Sequence, residues 1–508
     1  MRFNIKKIGT KQYLQLLESV YDPKTKKPKT VIIKSYGEVS KLKALYDDPI
    51  TYFKNIANEE IKNNKKENSI TLKLHTVPAR NFYDLKKDKK LFKNLIFVGH
   101  VFWSAFYHKL ELDKLFKKIA SNYKLDFSLN DVMKFLIYTK INFLASKRDS
   151  LYYIDSMGEK YDFIDKDIYK MNKIIVENKN IILRWIYTKI SNVYKYNFKL
   201  TYYNLTHYKL EDKIELGLLF DKNDMPVNYS VYPDDKFISK MNKTYHIKKM
   251  ITISETELNS KSYILKYPVK KLSKNLKTTF EEEIKPRIDK IRKDYPDLQY
   301  VYYPIVLENR NEKFIFQYYN KSKRKQAYIL DNEVNKVTRI LKKYDKIIDK
   351  TSKNILANPF IDDKKPDNGY SLLVTDLVEL MDKEIIKVYK EQDLIKKIFQ
   401  MHKSDIFSKP VIGTKEISIE SHFIVSYICL LFIKLMQHEL KYKYSVDDIL
   451  ISTKNLFYTK IDENTFILNG FNECLVDMEN KIFKEEFFYN IANLSRIRNY
   501  FAKSKKTR

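Results

Sequence analysis

Cysteines and histidines are scarce in this sequence, and most residues whose type could bind metal or hold phosphate lack the spacing such chemistry needs. Cys429 and Cys474 are too few for a disulfide framework or a cysteine-based zinc site. His402 and His422 have no second ligand at a metal-binding interval and read as core or surface histidines. The eight glycines, at 9, 37, 99, 158, 217, 369, 413 and 470, include no two neighbours. A loop that cradles phosphate with backbone amides needs clustered glycines, so no nucleotide cofactor site is expected. The "GTK" at Gly413 has no partner glycine upstream. Asn204 lies in the middle of "FKLTYYNLTHYKL", whose apolar–polar alternation predicts a half-buried strand. Asp221 and Asp224 fall in the predicted hairpin turn that follows, and Asp234 and Asp235 just after its second strand. Tyr389 and Lys403 are fourteen residues apart, close to four helical turns, which puts them on one face of a helix. The string "KSKRKQ", 321–326, suits either a grip on backbone phosphate or a solvated basic loop.

The elements that must position these residues can be read from periodicity and composition. The chain has 508 residues, 44% of them hydrophobic, enough for two to four domains with cores of their own. Its net charge of +31, from 95 basic and 64 acidic residues, points to a polyanionic partner. The excess is nearly all lysine beside abundant Ile, Asn, Tyr and Phe, which an A/T-rich genome would also produce. The opening "MRFNIKKIGTKQYLQLLESVYD" has no apolar core of a secretory signal. The most apolar run, "HFIVSYICLLFIKLM", is interrupted by Lys434 and reads as a buried core helix, too short to span a bilayer. A cytoplasmic, nucleoid-associated chain with no membrane contact is the expectation.

Residues 1–70 read as a small β unit plus a helix that starts at Asp48 before Pro49. Over 75–195 the apolar spacing becomes helical; "SLND" resembles a capping box with Asp in place of Glu. The basic faces of these helices are either DNA contacts or simply solvated. Strand character returns over 198–233, at "KMITISETEL" and at "SYILKYP". A charged helix "TFEEEIKPRIDKIRKDY" follows, then strands "QYVYYPIVLE" and "EKFIFQYYN", a basic helix, the strand "NGYSLLVTD", and the helix "DKEIIKVYKEQDLIKKIFQMHKS". Residues 441–508 read as helical, ending in an amphipathic helix "EEFFYNIANLSRIRNYF".

The order strand, hairpin, strand, inserted sheet, helix resembles the insertion-sequence DDE transposases with an RNase H-like core. The strings that carry the resemblance are "GLLFDKNDMPVNYSVYPDD", "YNKSKRKQAYILDN" and "NGYSLLVTD…EIIKVYK…KKIFQMHKSDIFSKPV…SHFIVSYICLLFIKL". Residues 198–440 are its specific part. It implies an α+β multidomain chain: an RNase H-like α/β core over 196–440 with a β-rich insertion at about 265–365, preceded by a small β unit and a helical domain.

The resemblance also implies three carboxylates, from a first strand, a second strand and a helix, that hold two divalent cations for phosphodiester cleavage and strand transfer. The first falls at Asn204, which is neutral. The second falls at Glu255, with Glu257 two residues on as the alternative and Asn259 matching the asparagine that follows in the family. The third falls at Lys396, midway between Tyr389 and Lys403, and an ammonium there opposes metal binding. Three altered positions together imply a lost active site, so no cofactor is expected, or Mg2+ or Mn2+ if activity survives. Tyr389, Lys403, Lys321, Lys323, Arg324 and Lys325 are the DNA-contacting positions the resemblance implies; double-stranded DNA is the partner and a homodimer the assembly. The leading expectation is therefore a transposase-like DNA-binding protein without cleavage or strand transfer. The alternatives are an active transposase with a displaced metal site, and a non-enzymatic structural or decaying remnant.

Overall fold

A computed structural model describes residues 2–22, 27–46, 48–56, 94–209, 213–254, 262–269, 272–307, 311–319, 327–342, 347–348, 369–400 and 415–506. The chain forms two compact units, Met1–Arg80 and Asn81–Arg508.

In the first unit, strands β1 (Arg2–Ile8), β2 (Lys11–Asp22) and β3 (Lys27–Glu38) form an antiparallel sheet in sequence order, as the alternation predicts. Helix α1 (Val39–Lys43) follows, and Val39, Leu42 and Leu14 make a small core with Tyr36, Tyr46 and Phe53. Asp48 starts the next helix by accepting from the backbone N–H groups of Ile50 and Thr51 at 3.1 and 3.2 Å.

The second unit opens on β4 (Leu95–Phe97) and helices α2 (Val101–Lys109), α3 (Leu112–Ala120), α4 (Leu129–Phe143), α5 (Asp165–Glu177) and α6 (Lys179–Val193). The Ser128 side of the predicted capping box is present: its side chain accepts from the Asp131 N–H at 3.2 Å. The run 167–194 breaks at Asn178, whose side-chain amide donates to the Ile174 carbonyl at 2.9 Å and ends α5.

Strands β5 (Thr201–Lys209), β6 (Lys213–Phe220) and β7 (Pro226–Val231) form an antiparallel meander, and helix α7 (Asp235–Tyr245) leads to β8 (Met250–Ser254). β8 pairs with β5 in parallel, and β9 (Tyr263–Tyr267) pairs with β8 in parallel. Eight residues, 255–262, separate β8 from β9 in sequence, and 255–261 lie outside the described residues. Helix α8 then runs from Lys274–Thr279 through a π turn, Phe280–Ile284, to Lys285–Asp294. Pro286 lacks an N–H and crowds the preceding turn, which accounts for the wider π turn just before it. The remaining strands are β10 (Tyr300–Leu307), β11 (Glu312–Tyr319), β12 (Ile347–Ile348) and β13 (Tyr370–Thr375); helix α9 (Ala327–Leu341) lies between β11 and β12.

These strands make one nine-stranded mixed sheet, β12-β10-β11-β13-β9-β8-β5-β6-β7. The strands expected as an insertion thus extend the same sheet from the β9 edge. Mid-sheet, the Tyr203 ring lies over Gly217, where an added Cβ would come within 2.1 Å of the Tyr203 hydroxyl. Only glycine fits that crossing.

Helices α10 (Asp382–Phe399), α11 (Lys415–Glu439) and α12 (Val446–Lys454) follow. α11 has the length and composition to cross a membrane, so Lys434 does not interrupt it as the sequence suggested. It is a core helix, as the sequence predicts, with 94% of its most apolar stretch buried. Lys434, 3% exposed, pairs with Glu391 of α10 at 2.5 Å.

The region 441–508, expected to be helical, also contributes strands β14 (Phe457–Lys460), β15 (Phe466–Asn469) and β16 (Ile491–Ala492), with α13 (Glu473–Ile482) between the last two. They form a sheet ordered β16-β15-β14-β4, which ties the end of the chain to residue 95. The predicted last helix starts later than its apolar pattern implied, as α14 (Leu494–Ser504). Before it, Phe487 and Phe488 are buried, and both backbone N–H groups donate to one oxygen of Glu479. One apolar core runs from α2–α6 through β6, α10 and α11 into α14. A second lies under the β10-β11-β13 part of the large sheet.

Candidate functional site

Asn204 occupies the middle of β5, level with Leu218 of β6 and Ile253 of β8. It is 1% exposed, because β5 is an interior strand covered on both faces. Alternation puts Asn204 on the face of Tyr202, Thr206 and Tyr208. That face meets the C-terminal half of α10 and the N-terminal half of α11: Tyr208 and Phe399 both contact the Phe423 ring, at 5.9 and 5.7 Å between centroids. The opposite face, with Tyr203 and Leu219, packs against Met241 and Phe237 of α7.

The carbonyl oxygen of Asn204 accepts the Thr206 hydroxyl at 2.6 Å. The residue is therefore a neutral amide whose acceptor is already engaged within its own strand. Lys396 is half-buried on α10, between the buried Ile395 and Phe399. Glu255 and Glu257 lie outside the described residues. A divalent cation requires anionic oxygen ligands; a self-satisfied amide and an ammonium do not supply them, so the two described positions do not fit Mg2+ or Mn2+. Among the described residues, no group of three or more His, Cys, Asp or Glu side chains could hold a metal ion.

The carboxylates nearby have other duties. Asp221 is fully buried and accepts four hydrogen bonds, from the Tyr194 hydroxyl at 2.7 Å and from the N–H groups of Asn197, Asn223 and Met225, each at 3.0 Å. It fixes the hairpin turn to the end of α6 and has no acceptor capacity to spare. Asp224 stands in that turn with φ of 61°. Burial pushes its carboxyl up to about 6, with Glu391 and Asp221 adding to the shift and Lys434 and Lys387 opposing it. Asp234 caps α7 by accepting the Phe237 N–H at 2.8 Å, and Asp235 lies exposed in its first turn. Asp376, which the sequence pattern did not single out, accepts from the N–H groups of Ser262 and Tyr263 at 2.7 and 2.8 Å and anchors the start of β9.

Tyr389 is half-buried against the core of Ile385, Ile386 and the β10-β13 strands, a packing position. The helix that carries it ends at Phe399, with Gln400 already in extended geometry. The shared face expected from the Tyr389–Lys403 spacing turns on Lys403, which lies outside the described residues. Lys403, Lys321, Lys323, Arg324 and Lys325 lie outside the described residues, as does His402. His422 is a core histidine, 2% exposed, with Nε2 3.4 Å from the Phe399 carbonyl and 3.5 Å from Lys140 Nζ.

The second buried charge cluster is Glu159 with Lys505, Lys134 and His100, at 2.6, 3.5 and 4.0 Å. Burial opposes ionisation of Glu159, but Lys134, His100 and Lys505 outweigh it and hold the carboxyl down to about 2. Burial lowers His100 to about 4, leaving it neutral in the aromatic stack of Phe97 and Phe501. This cluster fastens the end of α14 to α2 and α4.

No protein-family model matches the chain, and no curated protein is significantly similar to it.

Proposed function

We propose that the chain is a transposase-like DNA-binding protein of the insertion-sequence DDE type, built on an RNase H-like core and lacking strand-transfer chemistry. The observation that carries this reading is the parallel pairing of β5 with β8. Asn204 is level with Ile253, two residues before Glu255 in sequence, and the helix that bears Lys396 packs on the Asn204 face of the sheet. First strand, second strand and helix thus adjoin in the order that the resemblance implies. The residues at two of the three carboxylate positions are an engaged amide and a lysine, which supports binding without cleavage. The extra strands beyond β9 are this chain's own variation on that core.

The net charge of +31 supplies the driving force for a duplex partner through counterion release. A gel shift with linear duplex across a salt series tests the reading. With six or more phosphate contacts, affinity falls by about a thousandfold between roughly 50 and 200 mM salt. Absence of salt-sensitive binding at low ionic strength would favour the structural-remnant reading instead.

A further inference from the structure

On the side of the large sheet away from Asn204, α7 presents Lys236, Lys240 and Lys243 at i, i+4 and i+7, one exposed row spanning roughly 10 Å of helix. These three, with Ser239, Thr244 and the carboxylate of Asp235 at one end, line a depression on the helix's outer face. The row continues past the helix end. Tyr245 stacks on Phe198 at 5.2 Å, the Lys248 N–H donates to the Phe198 carbonyl at 3.3 Å, and the Thr201 N–H donates to the Lys249 carbonyl at 2.9 Å. The exposed Lys199, Lys248 and Lys249 are thereby brought to the C-terminal end of α7.

Some surface lysines are matched by carboxylates, as in Lys170–Asp126, Lys443–Asp477 and Lys503–Glu485, while others such as Lys266 and Lys460 are not, among the described residues. The six lysines here stand out in being gathered along α7 and at its C-terminal end. Among the described residues, no ion pair involves any of the six lysines of this patch. Of the acids closest in sequence, Asp234 is engaged as the cap of α7, and the exposed Asp235 borders the row beside Lys236. Six like charges gathered along one helix and its end at a cost in mutual repulsion, with one exposed carboxylate at the edge of the row among the described residues, suit a polyanion.

We infer that this lysine surface is a docking site for the phosphate backbone of a nucleic acid duplex, separate from the Asn204 face; the inference rests on the DNA-binding reading above. A duplex fits better than a single strand. Single-strand sites pair basic grooves with free aromatic platforms, whereas Tyr187, Tyr196, Phe198 and Tyr245 here pack against one another, with ring centroids 5.1–5.6 Å apart. A rigid row of cations on a helix matches an array with about one charge per 1.7 Å of axis.

The test is fluorescence anisotropy with a labelled duplex of about 30 base pairs across a salt series, using the full chain. The variant Lys236→Gln, Lys240→Gln, Lys243→Gln should bind about tenfold more weakly at low salt, with the slope of log K against log salt reduced by about 2 to 3. A control that removes three exposed lysines elsewhere, Lys266→Gln, Lys460→Gln, Lys481→Gln, should change affinity less than about twofold. Equal weakening by both variants, or none by the first, overturns the docking site while DNA binding stands. No salt-sensitive binding by the parent chain overturns the DNA-binding reading itself. As a measurement independent of variant folding, bound duplex should protect Lys236, Lys240, Lys243, Lys248 and Lys249 of the parent chain from acetylation. Equal protection by polyglutamate at matched charge would overturn the assignment to a duplex.

Discussion

Asn204 is a buried polar residue in the middle of an interior strand. Its carbonyl closes on the Thr206 hydroxyl two residues away, so the strand satisfies its own buried polar group. The variant Asn204→Asp, Glu255→Asp, Lys396→Glu should restore three carboxylates, and titration calorimetry should then detect Mn2+ binding that the parent lacks. No binding by a folded variant would mean that the three positions are misassigned. A second residue-scale prediction concerns Asp224. Its folded carboxyl lies above the ordinary value, so the folded chain keeps the proton to higher pH than the unfolded one. The stability this contributes is fully present below about pH 4 and is lost as pH rises through about 6. Asp224→Asn should abolish that loss, raising the melting temperature at about pH 7 but not at about pH 4. Asparagine also tolerates the positive φ at this position. The sequence made the type of residue 204 plain. It could not disclose the Thr206 contact, because an asparagine in a strand has many partners within reach.

At the scale of elements, long periodic segments were legible and short ones were not. β5 and α4 carry enough alternation or helical spacing to be read directly. β14 and β15 have four residues each and β16 two, too few for a period, so the C-terminal sheet went unread. Lys434 misled in the other direction. A lysine in an apolar run reads as an interruption, yet α11 continues because Glu391 of a neighbouring helix meets the charge. The pair predicts its own energetics. Glu391→Gln leaves a buried ammonium without its carboxylate and should cost about 3 kcal/mol, while Glu391→Gln with Lys434→Met should be close to neutral. Urea denaturation of both variants separates the two. Equal losses would show that the pair stabilises α11 in its own right.

At the scale of the molecule, the order of elements was legible and their joining was not. The sequence predicts strands on both sides of residues 265–365 and within them. That all nine share one sheet depends on the pairing of β13 with both β9 and β11, residues about a hundred and about fifty positions apart. The pairing of β4 with β14 likewise brings residue 97 to residue 457. Such non-local contacts leave no periodic trace. The central claim, a chain that grips duplex DNA and does not cut it, is tested most directly by incubating the protein with supercoiled plasmid and Mn2+, at an ionic strength where the plasmid is fully bound. The account predicts retarded plasmid that remains supercoiled once the protein is removed. Metal-dependent nicking that disappears in Glu255→Ala would contradict it.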